Sequence, residues 1–199
     1  MRLLLLALLL LLPACKPTDP VQRAHATATA PTGGRAPAST QIATDWRAKA
    51  ITIDKCIDFG FELLDAVKNG TPIHGKVPTS LEATTFAGAV LDATLILTNE
   101  LPTTAETEIF WQRLGGLAFA AAEEARAANR GPEALTLVTA GAPRWQTESY
   151  WRLHPTHDGL ASWLLAEGGK KAEALDRLRS RGDLDGFAKQ TYDAILALP

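Results

Sequence analysis

Two histidines and an aspartate stand close together in the segment His154-Pro155-Thr156-His157-Asp158. Imidazole nitrogens and a carboxylate are zinc ligands, so these side chains could hold a metal with help from another part of the chain. The segment also fits the start of a helix, with Thr156 as the N-cap and Asp158 in the first turn, where negative charge is favourable. We favour the helix start and predict no metal site and no cofactor.

Other residues with catalytic potential form no recognisable constellation. The chain has no Gly-x-Ser-x-Gly, His-Glu-x-x-His, Cys-x-x-Cys or phosphate-binding glycine motif. Neighbouring carboxylates such as Glu123-Glu124 do not share a helix face, so we interpret them as solvated rather than as an acid/base pair. We therefore predict no catalytic residue. An enzyme that acts on peptidoglycan, with Glu123, His154 or His157 recruited by the fold, stays open as an alternative.

Aromatic residues and arginines crowd into the segment 144–163. Both types are enriched in interface hot spots, and flat rings also stack on sugars. Core packing between helices is the competing interpretation, because aromatic side chains dominate buried area. The candidate binding residues are Trp145, Tyr150, Trp151, Trp163, Arg144 and Arg152.

The N-terminus has the parts of an export signal. Arg2 is followed by an apolar run from Leu3 to Leu12 and then by the small residue Ala14. The run is shorter than the roughly 20 apolar residues that a membrane-spanning helix needs. Export and cleavage are therefore predicted, and an ordinary cleaved signal with an incidental cysteine is the simpler alternative.

The segment Leu12-Pro13-Ala14-Cys15 resembles the lipobox of bacterial lipoproteins, with Pro13 as a departure from the usual pattern. The resemblance implies that the mature chain begins at Cys15, with a diacylglycerol on its sulfur and an acyl chain on its new amino group. Two or more chains anchor a protein stably. Because Lys16 is not aspartate, the resemblance implies the outer membrane with the domain facing the periplasm, while the inner membrane or the cell surface stays possible.

Charge and cysteine content limit the partners. The chain has 20 Lys and Arg against 22 Asp and Glu, so it lacks the basic excess typical of nucleic-acid binding. Cys56 is the only cysteine besides Cys15, and we predict that it is a small buried hydrophobic residue on a helix.

The composition divides the chain into three parts: a signal peptide over 1–14, a lipidated cysteine with a tether over 15–40, and one helical domain over 41–199. The tether is rich in Ala, Thr and Pro and has no recurring large apolar residue, so we predict that it is disordered. We assign no role to its single histidine, His25.

Residues 41–199 have the pattern of successive helices. Apolar residues recur at steps of three and four from Trp46 to Leu64, and this helix is predicted to end near Asn69-Gly70. Capping-box spacing at Thr79 and Thr103 begins the second and third helices, and Pro132 suits the first turn of a fourth. Further helices are expected near 144–153, 157–167, 170–181 and 184–197. The predicted fold is all-α, with antiparallel helical hairpins in a bundle or a short α-solenoid.

Two similar segments lie 40 residues apart, Glu133-Ala134-Leu135 and Glu173-Ala174-Leu175. This spacing suits a two-helix repeat. Locally, residues 130–199 resemble tetratricopeptide repeats, with Gly169 at the turn and Ala174 as the small residue that opens the second helix. Asp158 departs from the family pattern, because it stands where the repeat has an aromatic residue.

These observations favour an envelope lipoprotein that acts as a non-catalytic scaffold for another envelope or periplasmic protein. Helical repeats offer extended concave surfaces for such contacts. The first alternative is an immunity or inhibitor lipoprotein that blocks a cell-wall hydrolase, and the second is the peptidoglycan-acting enzyme. A carboxylate and a histidine in one concave pocket would favour the enzyme.

Overall fold

A computed structural model describes residues 19–101, 107–140, 155–180, 182, 184 and 186–199. These residues form helices without a β-sheet, which confirms the all-α prediction. The helices in the described ranges are α1 (Pro20–Thr29), α2 (Arg35–Arg47), α3 (Ile53–Asn69), α4 (Ser80–Ile96), α5 (Thr107–Ala127), α6 (Gly131–Thr139), α7 (Pro155–Glu167), α8 (Lys171–Arg179) and α9 (Gly186–Leu196). In these ranges no helix combines the length and the apolar character needed to cross a bilayer.

The prediction of a disordered tether over 15–40 is wrong from Pro20 onward, because α1 and the first half of α2 lie in this range. The Asp19 side chain caps α1 by accepting a 2.8 Å hydrogen bond from the Val21 backbone N–H, and Pro20 suits the first turn. Val21, Ala24 and Ala28 then pack into the core. Small side chains at helical spacing give α1 a buried face, although it lacks large apolar residues.

Helix α3 ends as predicted but begins later. The Gly70 backbone is left-handed (φ 64°), and its N–H bonds to carbonyls of the last turn. At the other end the Thr52 hydroxyl accepts a 3.3 Å hydrogen bond from the Lys55 N–H. Trp46 therefore belongs to α2 rather than to α3, and Lys49 (φ 57°) lies in the turn between the two helices.

Helix α4 lies at the centre of the N-terminal part and packs on α1, α2, α3 and α5. Its predicted capping box is confirmed: the Glu82 N–H donates to the Thr79 hydroxyl at 3.1 Å, and the Thr79 N–H donates to the Glu82 carboxylate at 2.7 Å. Its central residues, 83–94, are buried or half-buried on every side, whereas Leu81, Leu95 and Ile96 near its ends are exposed. The other predicted cap, at Thr103, lies outside the described residues.

The C-terminal part consists of the antiparallel hairpins α5/α6 and α7/α8, with α9 packed on α7 and α8. Pro132 lies in the first turn of α6 as predicted. The large core cluster runs from α1 to α7, and a smaller one joins the end of α7 to α8 and α9. Leu135 of α6 contacts both clusters, so the two hairpins share one continuous packed region.

Candidate binding cleft

A cleft of about 400 Å³ lies where α5, α7 and α9 meet. Helices α5 and α7 supply its apolar floor, and α9 supplies one wall. The lining residues are Phe119, Glu123, Arg126, Gly159, Leu160, Trp163, Gln190, Thr191 and Ala194.

The floor of the cleft is apolar. Phe119 and Trp163 are half-buried, and Leu160 between them is buried. Gly159 lines the cleft without adding a side chain. This arrangement suits an aromatic or branched aliphatic group.

A fixed polar network borders the floor. Arg126 forms two hydrogen bonds with the Glu167 carboxylate, at 2.8 and 3.2 Å, and the Trp163 indole N–H donates to the same carboxylate at 2.6 Å. The Arg126 guanidinium, assisted by Trp163, holds the pKa of Glu167 below its usual range. The same ion pair raises the pKa of Arg126. Both groups are therefore ionised near neutral pH, and the tryptophan ring is tied in place.

A second, more polar cavity of about 550 Å³ continues from the cleft past the turn of the first hairpin. It shares Glu123 and Arg126 with the cleft and adds Glu167 and residues of that turn, including Asn129. Glu123 is exposed, and its carboxylate also acts on Arg126, whose pKa it helps to raise. The polar cavity thus presents two carboxylates and one guanidinium, and the exposed Glu123 carboxylate can be reached from solvent.

The wall formed by α9 is more exposed than the floor of the cleft. Thr191 is buried, whereas Gln190 and Ala194 are exposed. Ala194 therefore lies at the mouth of the cleft, where a larger side chain could block access without entering the core.

Of the six candidate binding residues, Trp163 lies in the cleft. The other five, Arg144, Trp145, Tyr150, Trp151 and Arg152, fall outside the described residues, as do Cys15 and His154. The structure therefore places one member of the predicted cluster.

Helix α7 begins at Pro155, within the predicted 154–158 segment. Asp158 lies in the first turn as predicted; it is buried and accepts a 2.7 Å hydrogen bond from Arg177 of α8. Thr156 lies within the helix rather than at its N-cap, because α7 already begins at Pro155. The structure does not describe the side chain of His157.

The described residues contain no group of three or more His, Cys, Asp or Glu side chains that could hold a metal ion. Carboxylates border the cleft, but no described histidine lines it. His25 and His74 lie at the other end of the described chain, near α1.

Apart from Glu123, a candidate in the enzyme alternative, the cleft-lining residues of α5 and α9 were not predicted from the sequence. Phe119, Glu123 and Arg126 are spaced for one face of α5, and this spacing is visible without a structure. Sequence spacing does not show which helix covers that face, however, and Gln190 lies more than sixty residues away in the chain. The residues of α5 and α9 line one cleft only because of how the hairpins and α9 pack together, and this packing requires the structure.

The described residues form an all-α fold with a concave cleft. No family model, curated protein or solved structure matches the chain.

Proposed function

We propose that this protein is an envelope lipoprotein, anchored through Cys15, that binds another envelope protein at the cleft between α5, α7 and α9. The proposed role is non-catalytic, and the proposed location is the periplasmic face of the outer membrane. The lipobox-like segment supports the anchor, and the residues of the cleft support the binding role.

The observation that carries the binding role is the joint fixation of Trp163 and Arg126 by the Glu167 carboxylate beside an apolar floor. Tryptophan and arginine are the residue types most enriched in binding hot spots. Since hydrogen bonds already hold both side chains, a partner has less side-chain freedom to restrict when it binds.

The size and charge of the cleft indicate how a partner would bind. A volume of about 400 Å³ lies at the lower end of the range for small-ligand sites and would accept one or two apolar side chains. The exposed carboxylate of Glu123 favours a basic residue beside them. The proposed partner segment therefore combines an apolar anchor with a lysine or arginine.

We also propose that residues 130–199 are a short tetratricopeptide-like array. The turns of the two hairpins support this proposal, because the backbone hydrogen bonds around Asn129 recur around Gly169. The α7 and α9 residues of the cleft would belong to such an array, whereas Phe119, Glu123 and Arg126 of α5 lie before it.

The test uses the native lipidated chain in its own cells, with a photo-crosslinking amino acid at Gln190. Two variants of similar bulk are compared: Ala194→Trp, which blocks the mouth of the cleft, and Ala197→Trp, an exposed position outside it. We expect one dominant envelope protein that crosslinks in the parent and in Ala197→Trp but not in Ala194→Trp. The captured protein is then purified, and its direct binding is measured with the same variants.

Equal crosslinking in both variants, or no protein partner in either, would overturn the binding proposal. If the partner is a cell-wall hydrolase that is inhibited at one-to-one stoichiometry, the lipoprotein is an inhibitor rather than a scaffold. Mass spectrometry of the mature N-terminus tests the anchor separately: an unmodified Cys15 would contradict it.

A further inference from the structure

Two exposed apolar side chains lie close in sequence at the start of α4. Val77 is 43% exposed in the connection between α3 and α4, and Leu81 is 58% exposed in the first turn of α4. The cationic Lys76 stands next to Val77 and pairs with Glu82 at 2.6 Å. We call this surface, from Thr71 to Leu81, the 71–81 face.

The 71–81 face is fastened to the first turn of α1. The Gln22 side chain hydrogen-bonds the His74 ring at 2.9 Å. The tip itself is a tight turn, in which Ile73 and Lys76 exchange backbone hydrogen bonds of 2.9 and 3.1 Å. His74 and Gly75 between them have positive φ values of 50° and 81°, as a type I′ turn requires. The tip therefore has a defined position beside α1.

The lipid attachment residue is close to this same end of α1. Four residue steps separate Cys15 from Asp19, the N-cap of α1. A fully extended chain covers at most about 3.5 Å per residue, so these steps span about 14 Å or less. The headgroup layer of one leaflet is roughly 6 Å thick. An anchor at Cys15 would therefore hold the start of α1 at the membrane surface, and not at the distance that a long tether would allow.

We propose that the 71–81 face rests on the lipid bilayer that holds the Cys15 acyl chains, with Val77 and Leu81 in the interfacial layer. This inference rests on the proposed lipidation of Cys15. Apolar side chains beside a lysine suit this environment, because the apolar groups enter the interface, and Lys76 stays exposed toward the headgroups while it pairs with Glu82. The anchor raises the local concentration of the face at the membrane, so a small contact suffices.

The proposal is tested with a spin label on the purified lipidated chain in vesicles of phosphatidylethanolamine and phosphatidylglycerol. The label is attached at Val77→Cys, or at Leu196→Cys as a matched control. Leu196 is similarly exposed, but it belongs to α9, which packs on α7 and α8. The lipid occupies the Cys15 sulfur and Cys56 is buried, so the introduced cysteine is the reactive thiol.

We expect collisions with a water-soluble nickel complex to be several-fold less frequent at position 77 than at position 196. In the unlipidated Cys15→Ser chain, free in solution, both positions should be equally accessible. Equal accessibility in vesicles would overturn the proposal. Protection of position 77 in the unlipidated chain would also overturn it, because a second copy of the chain would then be covering the face.

A second pair of variants measures the contribution of the face to membrane retention. Val77→Asp combined with Leu81→Asp should be extracted from vesicles by mild detergent at lower concentration than Leu196→Asp, because aspartate at positions 77 and 81 would oppose entry into the interfacial layer; all three positions are exposed. Identical extraction would contradict the membrane contact. Mass spectrometry of each sample distinguishes the membrane contact from the lipid anchor. If the protein is lipidated and position 77 is accessible, the contact alone is overturned. If Cys15 is unmodified, the anchor is overturned and the contact with it.

Discussion

Asn129 and Gly169 occupy equivalent positions in two turns that lie 40 residues apart. Each has a left-handed backbone, with φ values of 59° and 80°. The residue that follows each of them donates to the carbonyl five residues earlier, Arg130 to Ala125 and Lys170 to Leu165, both at 2.8 Å. These are the hydrogen bonds of a Schellman C-cap, and each turn leads directly into the second helix of its hairpin.

The turns predict different responses to alanine at neighbouring positions. Gly169→Ala should lower the free energy of unfolding by about 1–2 kcal/mol, because a β-carbon opposes the left-handed conformation. Gly168→Ala, at the adjacent position without positive φ, is the control and should cost much less. Urea denaturation of both variants measures the difference. Equal losses would contradict the assignment of the left-handed position to Gly169.

We expect position 88 to require glycine, because the Arg35 side chain lies too close to leave room for a β-carbon. A β-carbon at Gly88 would lie 2.9 Å from Cδ and Nε of Arg35. Hydrogen bonds of 2.5 and 2.7 Å to Asp92 hold that arginine in place. Gly88→Ala should therefore destabilise the protein by about 1–3 kcal/mol.

The control for Gly88 is the same substitution in an Arg35→Ala background. There the obstacle is gone, and alanine should stabilise α4 by about 0.5–1 kcal/mol relative to glycine. The opposite signs in the two backgrounds are measured by urea denaturation in a double-mutant cycle. If the loss persists without Arg35, the close approach to that side chain is not its cause.

His25 should make the protein less stable in mild acid. Its ring packs edge-on against Phe59 and Phe86, with centroid distances of 5.5 and 5.8 Å, and its buried Nε2 has no hydrogen-bond partner in the described structure. Burial lowers the pKa of His25, against an opposing contribution from Glu82. The unfolded chain thus binds a proton more readily, so stability is complete above the ordinary histidine pKa of 6.5 and is lost as the pH falls below it.

The measurement is urea denaturation at pH 7.5 and 5.5. His25→Phe should remove part of the loss at pH 5.5, because a phenyl ring fits between the two phenylalanines and does not titrate. His74→Asn is the control: it replaces an exposed histidine with a residue that tolerates positive φ, and the loss should remain. An unchanged pH dependence in His25→Phe would exclude this histidine as a source.

Cys56 should be unreactive in the folded protein. The side chain is buried, which confirms the interpretation as a core residue, and burial raises the pKa of the thiol to about 12. In the Cys15→Ser chain at pH 8, a thiol reagent should therefore label Cys56 only after denaturation. Rapid labelling without denaturant would contradict its position in the core.

Local signals predicted much of the fold. The capping box at Thr79 and the stop at Gly70 were visible because a cap depends on a few neighbouring residues. Helix α1 was missed because its buried face consists of Val21 and alanines, and small residues give little hydrophobic periodicity. The pair Asp19-Pro20 was the available signal, since an N-cap followed by proline is typical of a helix start.

The site was harder to predict from the sequence than the fold. Trp163 attracted attention as an aromatic residue, but its partners Arg126 and Glu167 have side chains that are common on any helix surface. Their relationship depends on how one hairpin packs against the other. Long-range packing is not encoded in local spacing, and the same holds for the contacts of the His25 ring with Phe59 and Phe86.

Alanine is the most common residue among the buried apolar side chains of the described chain. A methyl group exposes little apolar surface when the chain unfolds, and exposure of apolar surface is the source of the heat-capacity increase on unfolding. We therefore expect this increase to be smaller per residue than in a core of leucine and phenylalanine. The curve of stability against temperature should accordingly be shallow, with little loss on cooling.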